Sequence, residues 1–275
     1  MIFVTVRGTK VPALGFGTWQ LAGPTCERAV REALAIGYRH IDTAQAYGNE
    51  REVGRALAES GLARDAIFLT TKIAPDNLAA KDVARTLADS LDALGTDHVD
   101  LLLIHWPSAA VKMGETLAAM NEAKTQGKVR HIGVSNFTVA HMREAIDTHK
   151  AEIVCNQIEY HALLAQSRVI DFARAHGIMV TAYCPLARGR IADQKVLAAV
   201  AGRHGKSVAQ VALRWLIQQD GVAAIPKSSR REHIAANFAI FDFALSAAEM
   251  AEIGTLRGGT RVVDPAFAPR WDPPG

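Results

Sequence analysis

The sequence predicts an α/β fold: a (β/α)8 TIM barrel with an N-terminal β-hairpin cap and extra C-terminal helices. Three observations carry that prediction. After a hairpin, short apolar runs alternate with helix-length segments eight times. Those runs are apolar on both faces, as parallel strands covered by helices must be. The chain has 275 residues, 49% of them hydrophobic, which suits one barrel of about 250 residues. No repeat, low-complexity segment or linker divides it, so residues 1–275 read as a single domain. A doubly wound open sheet is the competing architecture. It would need a Gly-x-Gly-x-x-Gly turn, and Gly15-Phe16-Gly17 lacks the third glycine.

The elements follow in order. Ile2 to Val6 and Lys10 to Pro12 flank Arg7-Gly8-Thr9, a hairpin pattern. Leu14 to Thr18 is a compact first strand. Thr25 suits the N-cap of a helix from Cys26 to Ile36, which Gly37 ends. Strands then run Arg39–Asp42, Ile67–Lys72, Val99–His105, Val129–Ser135, Val154–Gln157, Ile178–Tyr183 and Val222–Ile225. The helices between and after them are Asn49–Ser60, Ala79–Leu94, Glu115–Gln126, Val139–His149, Ser167–His176, Lys195–Arg203 with Val208–Gln219, and Glu232–Asn237. Ser246 caps a further helix, Ala248–Leu256, and a Gly- and Pro-rich tail reads as irregular.

Composition narrows the function classes. The formal net charge is +3 with basic residues scattered, which disfavours nucleic acid as a partner. Cys26, Cys155 and Cys184 are too few and too irregular for a disulfide framework. No apolar run approaches the ~20 residues of a membrane span, and the first residues lack a secretory pattern. The ten histidines form no His-Glu-x-x-His pattern, so no metal site is expected. A cytoplasmic monomer acting on a small molecule is the expectation.

In a barrel the strand exits converge on one face, where active sites lie. Here they offer Thr18 and Trp19, Asp42 and Tyr47, Lys72, His105 and Trp106, Ser135 and Asn136, Gln157, Tyr183, then Lys227 and Ser228. Taken singly, an aspartate or histidine at a strand end is usually structural. Asn136 could cap the next helix. Together the set has a chemistry. A phenol of pKa ~10 is a weak acid, and a nearby ammonium lowers that value. Lys72 can supply the ammonium, and Asp42 can hold it in place. His105 can donate to a carbonyl oxygen as negative charge develops there. Protonating that oxygen is useful when a hydride reaches its carbon. No side chain supplies one, so a nicotinamide cofactor is implied.

At these residues the chain resembles the aldo-keto reductases over essentially its full length. Gly37-Tyr38-Arg39-His40-Ile41-Asp42-Thr43-Ala44 with Glu50 and Val53-Gly54 is similar to the family's first motif. Leu103-Ile104-His105-Trp106-Pro107 and Ile132-Gly133-Val134-Ser135-Asn136-Phe137 resemble its middle motifs. Ile225-Pro226-Lys227-Ser228 resembles its cofactor-phosphate motif. The subgroup it resembles is the bacterial 2,5-diketo-D-gluconate and methylglyoxal reductases, to which Thr260–Pro265 and Trp271-Asp272 add.

The resemblance implies roles. Tyr47 becomes the general acid, with Asp42, Lys72 and His105 completing a tetrad. Ser135, Asn136 and Gln157 take the nicotinamide carboxamide, and Tyr183 stacks on the ring. Gly17, Thr18, Trp19 and Asp42 lie beside the cofactor. Leu186, Lys227, Ser228, Ser229, His233 and Asn237 hold the rest of the dinucleotide. Trp19, Tyr47, His105 and Trp106 line the substrate pocket. The expected cofactor is NADPH.

One position departs from the family. Many relatives carry an arginine five residues past the motif's serine, and this chain has His233; a glutamate common three residues later is Ala236. Arginine is permanently charged, whereas histidine is mostly neutral above pH ~6.5. NADH is therefore expected to be accepted at a measurable rate. Short connections after Trp106 and Leu256 imply an open pocket for methylglyoxal, keto sugars and small aromatic aldehydes, and a poor one for steroids. Two other functions fit a barrel: a Schiff-base aldolase using Lys72, and a non-catalytic nicotinamide-binding regulatory barrel. The first needs a depressed lysine pKa, which Asp42 opposes. The second could dispense with Tyr47, which is present.

Overall fold

The structure, a computed structural model, describes residues 1–273. The chain opens with an antiparallel hairpin, β1 (Phe3–Val6) and β2 (Thr9–Pro12). Its turn uses Arg7 and Gly8 at φ 45° and 80°, the left-handed values that match the twist of a two-residue hairpin. The hairpin buries Val4, Val6 and Val11, and Thr9 Oγ1 bonds His131 Nε2 at 2.8 Å.

Eight parallel strands form one curled sheet. They are β3 (Phe16–Gly17), β4 (His40–Asp42), β5 (Phe68–Ile73), β6 (Val99–Ile104), β7 (Val129–Ser135), β8 (Cys155–Glu159), β9 (Met179–Tyr183) and β10 (Val222–Ala224). Spatial order follows chain order. Backbone bonds close the barrel: Gly15 N to Ala224 O at 2.9 Å, Ala224 N to Ala13 O at 2.7 Å and Gly17 N to Pro226 O at 3.0 Å. A Cβ on Gly17 would lie 2.9 Å from the carbonyl oxygen of Ile225, so the seam needs glycine there. All residues of β5 and β6 are buried, as strands covered on both faces require.

Among the described residues, ten helices surround the sheet: α1 (Gly23–Ile36), α2 (Glu50–Glu59), α3 (Ala80–Leu94), α4 (Met113–Thr125), α5 (Val139–Arg143), α6 (Ser167–Ala175), α7 (Lys195–His204), α8 (Val208–Ile217), α9 (Arg231–Phe238) and α10 (Ala247–Gly254). Most match the sequence reading to within a few residues. Three details differ. Thr25 does not cap α1; the helix starts earlier, after Ala22, with Pro24 in its first turn. Proline tolerates that position because the N–H it lacks has no helical partner there. The segment expected as one helix to His149 changes at Glu144 into a π-helical turn, Glu144–Thr148. Asn136 does not cap α5. Thr138 does, in a reciprocal capping box with His141. Ser246 caps α10 as expected, through the N–H of Glu249.

Candidate active site

The C-terminal ends of the strands surround a cavity of about 640 Å³. Asp42 ends β4. Tyr47 follows on a short 3-10 turn, Gln45–Tyr47, which Gly48 closes at φ 64°. Lys72 lies within β5, and its side chain has no solvent exposure. His105 follows β6 directly, its N–H bonded to Ile73 O at 3.2 Å. The loop is fastened from behind by Asn49, whose amide donates to the carbonyls of Thr18 and Leu21 at 2.9 and 2.8 Å. That ties the turn carrying Tyr47 to the segment carrying Trp19.

The four tetrad candidates come together. Lys72 Nζ donates to Asp42 Oδ1 at 2.6 Å, to Thr43 O at 2.8 Å and to the Tyr47 hydroxyl at 3.2 Å. Gln157 Nε2 donates to the other carboxylate oxygen, Asp42 Oδ2, at 2.6 Å. The Tyr47 and His105 rings meet edge to face, 5.6 Å apart. The network continues around the mouth. Ser135 Oγ donates to Gln157 O at 2.9 Å; Asn136 Nδ2 donates to Ser135 Oγ and to His105 O at 3.1 and 3.0 Å. Tyr183 donates its hydroxyl to Asn136 Oδ1 at 2.7 Å. Asn136 holds φ 62°, a conformation asparagine adopts more readily than most residues.

The electrostatics follow from burial. Burial alone would pull the Lys72 ammonium below its ordinary value. Attraction to Asp42 and the phenol of Tyr47 outweighs it, so the lysine stays charged. Burial raises the Tyr47 phenol above its ordinary value, and Lys72 opposes that rise without reversing it. The expected lowering by the lysine is thus present as a force but does not set the net direction. Losing a proton would place a phenolate in a site shielded from water, which costs more than one ammonium returns. His105 moves the other way: burial first, then Lys72, push its imidazole down to about 3. Its Nδ1 is buried and without a partner among the described residues, which leaves Nε2 for a ligand.

The remaining sequence-derived residues divide by position. Gly17, Thr18, Trp19, Asp42, Trp106, Ser135, Asn136, Gln157, Tyr183, Leu186 and Lys227 line the cavity with Tyr47 and His105. Ser228, Ser229, His233 and Asn237 do not; they lie beyond Lys227 on the loop and on α9. Ser229 and His233 are exposed, and Asn237 is buried. Sequence reasoning missed several wall residues: Cys184 and Arg188 after β9, and Val263 in the tail. Cys184 and Arg188 both hold positive φ, 47° and 52°, which no sequence pattern marks. Arg188 faces Trp19 across the mouth, its guanidinium carbon 5.2 Å from the indole ring. Among the described residues, no group of three histidines, cysteines or carboxylates could hold a metal ion, and no helix is long and apolar enough to cross a membrane.

A barrel with a lysine, a carboxylate, a phenol and a neutral imidazole meeting at its C-terminal face has the form of a carbonyl oxidoreductase. Residues 13–257 match the aldo/keto reductase family, and the chain belongs to it. Methylglyoxal reductase DkgB of Salmonella typhimurium is 43% identical over 266 residues, which cover 95% of this chain and 99% of that protein. A crystal structure described as a 2,5-diketo-D-gluconic acid reductase B superposes with a TM-score of 0.96 at 46% identity, covering 99% of this chain and 98% of that one. A Bombyx mori aldo-keto reductase in complex with NADP has a TM-score of 0.89 at 34% identity, covering 95% and 94%. The chain is an oxidoreductase that acts on small carbonyl compounds.

Proposed function

We propose that the protein reduces small aldehydes and ketones to alcohols with NADPH, and that Tyr47 is the general acid. The observation that carries this reading is the Tyr47 hydroxyl, 3.2 Å from a buried, Asp42-paired ammonium and beside a neutral His105. The residues of the cavity suit a dinucleotide. Gln157 Oε1 has no donor among the described residues, the ring of Tyr183 lines the wall, and Lys227 stands exposed at the outer end for phosphate. When bound, the cofactor supplies a hydride.

The chain's own residues do the rest. His105 Nε2 donates a hydrogen bond to the carbonyl oxygen and orients it toward the phenol. Tyr47 gives its proton to that oxygen as charge develops. Lys72 stabilises the phenolate left behind, and Asp42 with Gln157 keeps Lys72 aimed at it. Trp19 and Trp106 flank the substrate. The same electrostatics count against a Schiff-base role. Lys72 is held protonated, and a nucleophilic amine must be neutral.

Methylglyoxal, keto sugars such as 2,5-diketo-D-gluconate and small aromatic aldehydes are the proposed substrates, with a monomer in the cytoplasm as the working form. A spectrophotometric assay with NADPH and a carbonyl panel tests the reading. The expected result is NADPH oxidation, with methylglyoxal giving a higher kcat/KM than a steroid ketone. Tight NADPH binding with no oxidation by any carbonyl would favour a non-catalytic binding barrel.

A further inference from the structure

We propose that Glu159 is a positioning residue: it seats the C-terminal segment as a wall of the carbonyl pocket and so sets the preference for small carbonyls. The proposal rests on the reductase reading of the site. Glu159 ends β8, two residues past Gln157, so both side chains leave the same face of the strand. It has no solvent exposure. Its two oxygens accept consecutive backbone N–H groups from the tail: Val262 to Oε1 at 2.7 Å and Val263 to Oε2 at 2.8 Å. His161 Nε2 lies 3.0 Å from Oε1 and an Arg261 nitrogen 3.9 Å from Oε2. Gln166 holds the glutamate's own carbonyl at 2.9 Å. Nothing in the reduction chemistry requires this carboxylate.

From that grip, contacts run to the pocket. Val263 lines the cavity. The Arg261 guanidinium carbon sits 3.8 Å from the Trp271 ring centre, and the indole N–H of Trp271 donates to Asp264 Oδ1 at 2.8 Å. Phe267 and Trp271 pack on Trp106 at 5.3 and 6.1 Å, and Trp106 lines the cavity beside His105. At the far end Asp272 Oδ2 accepts the N–H of Val139 at 2.9 Å. Residues 261–273 form no helix or strand, so no ladder of backbone bonds substitutes for Glu159. Charge-assisted bonds from two adjacent, part-buried donors to a buried carboxylate are strong and directional, and removing the acceptor takes that partner from both donors.

The test uses two full-length variants. Glu159→Gln replaces one acceptor oxygen with an amide that opposes a tail N–H. Val262→Pro deletes one donor from the other side, so the test survives if Glu159→Gln does not fold. Hydrogen exchange at the amides of residues 262 and 263 in Glu159→Gln, and at residue 263 in Val262→Pro, reports seating without any enzyme assay. The expected result is exchange about tenfold faster or more, the loss of a charge-assisted bond. The methylglyoxal KM should rise about tenfold with kcat within about twofold, the pattern of lost ground-state binding. NADPH affinity should hold, and selectivity should shift toward a bulky aromatic aldehyde. Tail amides that stay protected in the variants, or a fall in kcat and NADPH affinity as large as the change in KM, would overturn the proposal. If wild type oxidises NADPH with no carbonyl, the reductase reading has failed instead, and the exchange rates still decide whether Glu159 seats the tail.

Discussion

The two ends of the cavity are built differently. At the inner end, Asp42, Lys72, Tyr47 and Gln157 are fixed by bonds of 2.6 to 3.2 Å, and Asp42 and Lys72 are shut off from solvent. At the outer end, Lys227, Ser229, Arg230 and His233 are exposed, and Arg230 meets Glu232 loosely at 3.8 Å. An over-determined buried network tolerates no substitution without cost. Exposed side chains can be exchanged with little effect on the fold. On the proposed reading the chemistry is held by the inner end, and the choice of dinucleotide is left to side chains that can vary, His233 among them.

The largest effect should come from breaking the inner network. Lys72→Met leaves the Asp42 carboxylate buried without its cation, and removing one partner of a buried pair typically costs about 3–5 kcal/mol. Chemical denaturation should show that loss. Carbonyl reduction should fall about 10²–10⁴-fold in whatever protein folds, because the ammonium beside the phenol is gone. A stable variant with wild-type kcat would break the distinction between the two ends.

A pH profile sharpens it. With Tyr47 as the proposed acid, reduction needs it protonated, and burial raises its pKa, so the plateau extends upward. Burial, and then Lys72, hold the His105 imidazole down to about 3, so its charge does not change across the neutral range and the plateau extends downward. Accordingly kcat should stay flat from roughly pH 5 to pH 9, well past the ordinary histidine value. A fall in kcat centred near the ordinary histidine value would place a protonating His105 in the rate-limiting step.

The smallest effect belongs to the outer end. His233→Arg should tighten NADPH about tenfold and leave NADH nearly unchanged, since one charge-assisted bond to the 2′-phosphate is gained. Dissociation constants for both cofactors, with and without the substitution, check the statement. A ratio that the substitution leaves unchanged would point to Arg230 or Arg231 as the phosphate contact.

The inner end was also the more legible in the sequence. Asp42, Lys72 and His105 stand at the ends of apolar runs, and barrel topology alone brings strand exits together. Tyr47 was less accessible to that logic, because a 3-10 turn with a left-handed Gly48 delivers it. The sign of its pKa shift was misjudged, since the lysine is visible in the sequence and the burial is not. The start of α1 was misplaced because Pro24, not Thr25, sets it. The grip of Glu159 on Val262 and Val263 spans more than a hundred residues, and nothing local in either segment announces it.

The central claim is that Tyr47 acts on the reacting oxygen and not on the dinucleotide. The direct measurement is Tyr47→Phe, with kcat for methylglyoxal and the NADPH dissociation constant determined on the same preparation. The account predicts a loss of about 10²–10⁴-fold in kcat, the usual worth of a general acid, with NADPH bound as in wild type. An unchanged kcat in a folded Tyr47→Phe protein would contradict it.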